Sequence, residues 1–408
     1  MKIKSLSIKN FRGIAEWSAD FEDDYNIFVG SNGSGKTSIL AAIDYANKFI
    51  LNQLVRTGVV HFSNSDIKNG SNAFKIEITI KFFSERYSLI LIGDQKTNFI
   101  KHDNMPNNAR LDLGRLSQLR DTEELSVNST HWPFHYFFDQ KRNYFQNTAG
   151  LKYSTDKKTA YSKSNSVITD FSNWFDKRDA EEGRQIRLKQ DLQYKDPQLS
   201  AARTMIKKST GFDQVYFSNE TPAGIRVEKN KQTLAFDQLS SGEKTILYLV
   251  GDLARRCGIL NNENPFDVSG VVLIDEIELH LHPEWHRVII KLLNHFFPKS
   301  QFVVTTHSPQ VLGEVNSKNI RIITKEGIKS FTDSTLGRDS NYLLNSVLGA
   351  KERSHYLNDS LLKIDQLIND EKYDAAKKLI AKIEKKYSSN FPEIVLQKVR
   401  LKRRMNKK

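Results

Sequence analysis

An α/β fold, with a mixed sheet built around a glycine-rich loop, is predicted by three features of the chain. The apolar run Tyr25-Asn26-Ile27-Phe28-Val29 passes into Gly30-Ser31-Asn32-Gly33-Ser34-Gly35-Lys36-Thr37, and a helix is expected from Ser38 to Leu51. Val271-Val272-Leu273-Ile274 is a continuous apolar run, the pattern of a strand buried on both faces, and it ends in Asp275-Glu276. Between them, Leu239-Ser240-Ser241-Gly242-Glu243-Lys244 opens an apolar helical stretch from Thr245 to Leu253.

Each feature carries a chemistry. Glycines at 30, 33 and 35 let the loop turn with its N–H groups pointing inward, and Ser31, Asn32, Ser34 and Ser38 add donors around a bound anion. Lys36 reaches the β- and γ-phosphates of a nucleotide, and the Thr37 hydroxyl ligates Mg²⁺. Two carboxylates at the carboxyl end of a buried strand sit where Mg²⁺ and an attacking water lie beside a triphosphate. Asp275 is therefore expected to hold the metal and Glu276 to polarise the water. Ser240, Ser241, Gly242 and Glu243 at a helix start form a second anion-binding terminus, with a plain capping box as the alternative reading. ATP and Mg²⁺ are the expected ligands.

At this point the chain resembles the ATP-binding-cassette ATPases of the SMC and RecF type, whose signature reads LSGGQ or LSSGE. The other motifs follow in that family's order. VVLIDE (271–276) stands as Walker B, ELHLHP (278–283) as the D-loop region, and VVTTHS (303–308) supplies His307 as switch histidine. MKIKSLSIKNFR alternates as a first strand, and Asn10-Phe11-Arg12-Gly13 is similar to the turn that opens RecF and SMC heads, which places Arg12 at the nucleotide. Pro133 to Phe138 reads as a strand, and Gln140 beyond it stands in for the family's metal-binding glutamine. The resemblance implies an ATPase head of two lobes around the phosphate loop. Two heads would bind head to tail with ATP sandwiched between them, Ser240 and Gly242 of one facing the γ-phosphate held by Lys36 of the other.

The remaining segments are arranged around that head. Residues 1–140 read as the first lobe, with paired strands at Ala73–Phe83 and Glu85–Ile92 and a polar loop from Thr97 to Arg110. Residues 141–210 turn polar, lysine-rich and helical, with a helix expected over Asp170–Leu192. By resemblance this insertion replaces the long coiled coil of SMC proteins, since the interval between Thr37 and Leu239 leaves no room for a heptad arm. Residues 211–333 carry the second lobe. Residues 334–408 form a helical extension in which Gly337-Arg338-Asp339-Ser340-Asn341 leads to a hairpin with an apolar stripe at Leu362, Ile364, Leu367, Leu379 and Ile383. Its basic end holds Lys398, Arg400, Lys402, Arg403, Arg404, Lys407 and Lys408. This tail resembles that of Septu and retron-linked defence ATPases, which implies a separate HNH-type nuclease subunit as partner.

Composition limits the function classes. Lys and Arg number 61 against 48 Asp and Glu, a net charge of +13 that favours an acidic partner such as nucleic acid. A single cysteine, Cys257, excludes a disulfide framework and fits a reducing compartment. Without a leader pattern or an apolar run of the roughly 20 residues that cross a bilayer, a cytoplasmic protein without membrane contact is expected. His280, His282 and His286 invite a zinc reading, but neither a cysteine nor a well-placed carboxylate completes the set. HNH, PD-(D/E)xK and protease constellations are also missing, so nuclease activity is assigned to a partner. A RecF-like repair or clamp-loading ATPase is the alternative. A transporter ATPase subunit shares the motifs, but the NFRG opening and the large insertion argue against it.

Overall fold

The computed structural model describes residues 1–55, 58–97, 99–101, 107–119, 132–139, 160, 167–324, 327–331, 333–348, 355–387 and 391–405. The chain divides into two units, Met1–Ser340 and Asn341–Lys408. In the first, β1 (Lys2–Phe11), β2 (Ile14–Asp20), β3 (Tyr25–Val29) and α1 (Lys36–Val55) are followed by β4 (Ala73–Phe82), β5 (Glu85–Asp94), α2 (Asn107–Leu119) and β6 (Phe134–Phe138). Next come α3 (Val167–Lys189), α4 (Pro197–Thr210), β7 (Gln214–Ser218), β8 (Gly224–Lys229), β9 (Gln232–Ala235) and α5 (Ser241–Leu260). β10 (Gly270–Ile274), α6 (Pro283–Phe296), β11 (Gln301–Thr305), α7 (Pro309–Leu312), β12 (Ile320–Thr324) and β13 (Gly327–Ser330) complete it.

Three sheets result. β2-β1-β4-β5 is antiparallel, as is β7-β8-β9, while a six-stranded sheet runs β13-β12-β3-β11-β10-β6. In the large sheet β12, β3, β11, β10 and β6 are parallel, and only β13 is antiparallel. β10 is apolar throughout, as expected of a strand buried on both faces, and β11 is equally buried but carries polar residues at its ends, Gln301 bonded to Ile3 and Thr305 to Asp275. The register pairs Phe28 with Thr305 and Ile274 with both Val304 and Phe138, so the carboxyl ends of β3, β11 and β10 share one edge. Ligands of open α/β sheets bind at that edge.

α1 contacts β1 and β4 of one sheet and β6 and β11 of the other. Its positions 39–44 are all buried, as expected of a helix with apolar contacts on every side. A buried polar group ties it to β6: His135 Nε2 lies 2.9 Å from Asp44 Oδ1, and Asn47 Nδ2 lies 3.2 Å from His135 Nδ1. In α5, Asp252 is fully buried and accepts from Arg255 at 2.6 Å and from Arg256 at 2.7 Å. α4 and α3 both pack on α5, so the helices of the expected insertion belong to the body of the ATPase unit.

The structure corrects two expectations here. Residues 107–110 lie in α2, because Leu113, Leu116 and Leu119 pack against the main core and carry the helix with them. In the second unit, α8 (Ser340–Ser346), which straddles the division, precedes α9 (His355–Asn369), α10 (Tyr373–Tyr387) and α11 (Pro392–Met405). The buried stripe of α9 is Leu357, Leu361, Ile364 and Ile368, spaced by four, three and four residues, whereas Leu362 is 61% exposed. Ala376, Ile380, Ile383, Ile394 and Leu401 complete that core. Among the described residues no helix is long and apolar enough to cross a membrane.

Candidate functional site

At the end of β3 the chain turns at Gly30, where a Cβ would lie 2.4 Å from the Ile323 carbonyl oxygen and 2.8 Å from Ser34 Oγ. Any larger residue would displace the backbone of β12. Lys36 opens α1 and folds back over the loop, donating to the carbonyls of Gly30 at 2.9 Å and Ser31 at 3.0 Å. Burial lowers the pKa of this ammonium, against the opposing charges of Asp275, Glu276 and Glu278. Ser34 Oγ is buried without a hydrogen-bond partner. Ser31, Asn32, Gly33 and Thr37 are exposed, and Ser38 is half-exposed.

The two halves of the site meet at Thr37, whose hydroxyl donates to Asp275 Oδ2 at 2.9 Å across 238 residues of sequence. Asp275 is buried, and its other oxygen accepts from Thr305 Oγ1 at 2.5 Å. Thr305 Oγ1 accepts in turn from the N–H of Glu276 at 2.7 Å. Glu276 itself has φ +48°, the left-handed region, and is half-buried. Two residues on, Glu278 accepts from the Thr306 hydroxyl at 2.7 Å and from the His307 N–H at 2.5 Å. The Thr306 N–H donates to Phe28 O at 3.1 Å, so the backbone entering His307 is held between Glu278 and β3.

The 240–243 segment caps α5. Ser240 Oγ donates to Glu243 Oε2 at 2.7 Å and accepts the Glu243 N–H at 3.3 Å, while the Ser240 N–H donates to the same carboxylate at 3.0 Å. Lys229 Nζ adds a bond to Glu243 Oε1 at 2.6 Å. Burial raises the pKa of this carboxyl, but the bonds from Lys229 and Ser240 outweigh it and hold the group below its usual range. Gly242 is buried beneath Trp285 and His280 of the D-loop side, and Ser240 and Ser241 are exposed. Among the described residues no hydrogen bond joins this box to Gly30–Ser38.

Other expected residues are placed as follows. Arg12, at φ +49°, donates from Nε to Asp66 Oδ1 at 2.7 Å, and Asp66 also accepts from the Tyr45 hydroxyl at 2.8 Å. Its turn reaches the loop through Ile14, whose Cγ1 lies 3.4 Å from where a Gly35 Cβ would stand. His286 Nδ1 lies 3.0 Å from Ser308 Oγ and Nε2 lies 3.1 Å from Leu281 O, while His282 caps α6. Among the described residues no three His, Cys, Asp or Glu side chains gather as a metal cluster. Gln140 lies outside the described residues.

A family model described as "AAA domain, putative AbiEii toxin, Type IV TA system" matches residues 25–313, from β3 to the end of α7. The chain belongs to this AAA-domain family. The AAA-domain protein is similar over 99% of its length to "Retron Ec83 probable ATPase" of Escherichia coli, at 27% identity and with 87% of that protein covered. It is also 27% identical to "Septu protein PtuA" of Bacillus thuringiensis, over 76% of this chain and 72% of the other. These relatives bear out the resemblance to the ATPases of retron and Septu systems. Among solved structures, the SMC head domain from Thermotoga maritima aligns with 82% of this chain and 100% of its own at 16% identity, with a TM-score of 0.45.

Two residues of this site in the AAA-domain protein escape motif reading as partners: Thr305 and Glu278. Both lie inside motifs that draw attention to their neighbours, Glu276 and His307. The available signal is the threonine pair before His307, since hydroxyls at a buried strand end need acceptors.

Proposed function

We propose that this chain binds ATP with Mg²⁺ at Gly30–Ser38 and Asp275 and hydrolyses it with Glu276 as the group that orients the attacking water. The observation that carries this reading is the 2.9 Å bond between Thr37 and Asp275, a hydroxyl and a carboxylate brought together at the carboxyl edge of a parallel sheet. The residues fit the ligand. Ser34 Oγ is a buried hydroxyl without a partner inside the loop, the space at Gly30 excludes a side chain, and Lys36 stands at the start of a helix whose N-terminus favours phosphate. Mg²⁺, when bound, neutralises charge on the phosphate oxygens. Thr37 and Asp275 would hold it, Lys36 would neutralise the β- and γ-phosphates, and His307 would sense the γ-phosphate.

In this reading two copies pair head to tail, with Ser240, Ser241, Gly242 and Glu243 of one completing the site of the other. The exposure of Ser240 and Ser241 and the lack of a bond between that box and the loop within one chain support it. The assembly would be a cytoplasmic, ATP-controlled sensor or clamp of anti-phage defence, acting on nucleic acid with a separate HNH-type nuclease held by residues 334–408. The retron and Septu relatives support the setting, and the net charge of +13 supports the acidic partner. Exposed Val395, Leu396 and Val399 on α11 support a docking role for the tail.

The test pairs two variants of the full chain. Lys36→Ala loses ATP binding by calorimetry. Glu276→Gln binds ATP, sediments as a dimer with it, and hydrolyses it about 100-fold or more slowly. Hydrolysis at the wild-type rate by the Gln variant would remove Glu276 from its role.

A further inference from the structure

Thr305 is the last residue of β11, fully buried between β3 and β10. Its hydroxyl carries one proton and can accept two. The proton goes to Asp275 Oδ1 at 2.5 Å, and the oxygen accepts the Glu276 N–H at 2.7 Å. Its backbone carbonyl accepts the Ile277 N–H at 3.1 Å. One residue therefore holds Asp275, Glu276 and Ile277, the first three residues after β10. That turn contains Glu276 at φ +48°, a conformation that residues with a Cβ keep only where their surroundings impose it.

We propose that Thr305 is a positioning residue for ATP hydrolysis: through one hydroxyl it orients Asp275 and locks the Glu276 backbone in the left-handed turn that decides where its carboxylate points. The inference rests on the assignment of Asp275 and Glu276 as the hydrolytic pair. It also gives the strand a second duty. Thr306 and the His307 amide, the next two residues, sit on Glu278, so the end of β11 sets the catalytic carboxylates on one side and the switch histidine on the other. A valine at 305 has nearly the shape of threonine but neither donates nor accepts, so it would leave the Glu276 N–H and Asp275 Oδ1 without this partner.

Thr305→Val, Thr305→Ser and Glu276→Gln are compared with the wild type as full-length chains. Hydrogen exchange at the Glu276 amide is followed without nucleotide, and kcat and KM are measured with Mg²⁺ and ATP. In Thr305→Val the Glu276 amide is expected to exchange about tenfold or more faster, because its acceptor is gone. Its kcat should fall by about 10- to 100-fold, as for loss of other groups that orient a metal ligand, while KM stays within about threefold. Thr305→Ser should restore both. Unchanged exchange and kcat in the valine variant, or a serine variant as impaired as valine, would overturn the proposal. If Val does not fold, Thr305→Ala against Thr305→Ser carries the same comparison. Wild-type hydrolysis by Glu276→Gln would instead remove the hydrolytic assignment, and the exchange measurement would still judge the hold of Thr305 on the turn.

Discussion

Gly242→Ala tests whether the start of α5 is seated on the D-loop side of the same chain. The added Cβ would stand 2.8 Å from Cζ3 of Trp285, 3.0 Å from the His280 carbonyl oxygen and 3.6 Å from the His282 nitrogen. Carbon atoms pack best at about 3.5–4.0 Å, so the indole must retreat by roughly 0.7–1.2 Å or α5 must shift. Overpacking of this kind costs about 1–3 kcal/mol. Alanine recovers up to about 1 kcal/mol of helix propensity over glycine, roughly half of that in a first turn, which leaves a net loss of about 0.5–2.5 kcal/mol. At about 2–4 °C per kcal/mol for domains of 150–250 residues, the first unit should melt a few degrees lower. Scanning calorimetry without nucleotide reads this. Trp285→Leu removes the obstructing ring, so the double variant should regain about 1 kcal/mol relative to the sum of the single changes. A Gly242→Ala protein that melts at the wild-type temperature, with no coupling to position 285, would refute the seating.

Lys402, Arg403 and Arg404 are exposed, whereas truncation from Lys398 onward would also strip the buried Leu401 and the Lys398–Glu384 and Arg400–Asp365 pairs from the tail. Reversing those three charges to Glu should therefore weaken nucleic-acid binding evenly across sequences and reduce the salt slope by up to about 3; an unchanged slope would assign the tail to solvent or to a protein. Glu243 lies below the usual glutamate value of 4.5 in the folded chain, so its contribution is present above that pH and fades as pH falls through the folded value. The melting-temperature gap between wild type and Glu243→Gln should thus be full at pH 6–7 and shrink below about pH 4, and a gap independent of pH would contradict it. Asp252→Asn removes the buried carboxylate that Arg255 and Arg256 share and should cost about 3–5 kcal/mol in denaturant melts, while a cost below about 1 kcal/mol would show that other groups or water compensate.

Local pattern carried much of this protein. The helix expected over Ser38–Leu51 spans Lys36–Val55, the one expected over Asp170–Leu192 spans Val167–Lys189, and the pair at 73–83 and 85–92 forms β4 and β5. The capping box at Ser240 and Glu243 was equally legible. These features depend on residues a few positions apart, where φ/ψ preference, side-chain period and capping act directly. The family was legible as well, because a phosphate loop and an acidic strand end each carry their chemistry in a short stretch.

Apart from Thr37 and Asp275, which their motifs placed at one site, partners across the fold were not legible. Periodicity marks the apolar face of a strand or helix but not what covers it, so the order β12-β3-β11-β10-β6 and the packing of α4 on α5 belong to the tertiary structure. The same holds for polar groups. The bond from Arg12 Nε to Asp66 was not foreseen from its motif, and the hydroxyl bonded to both Asp275 and the Glu276 N–H comes from Thr305 on a neighbouring strand. A buried donor or acceptor must be satisfied by whatever the packed chain brings within 3 Å of it, and that neighbour is chosen by the docking of strands far apart in sequence. Sequence alone thus marked the groups proposed to carry the chemistry, while the parallel sheet decided which residues hold them in place.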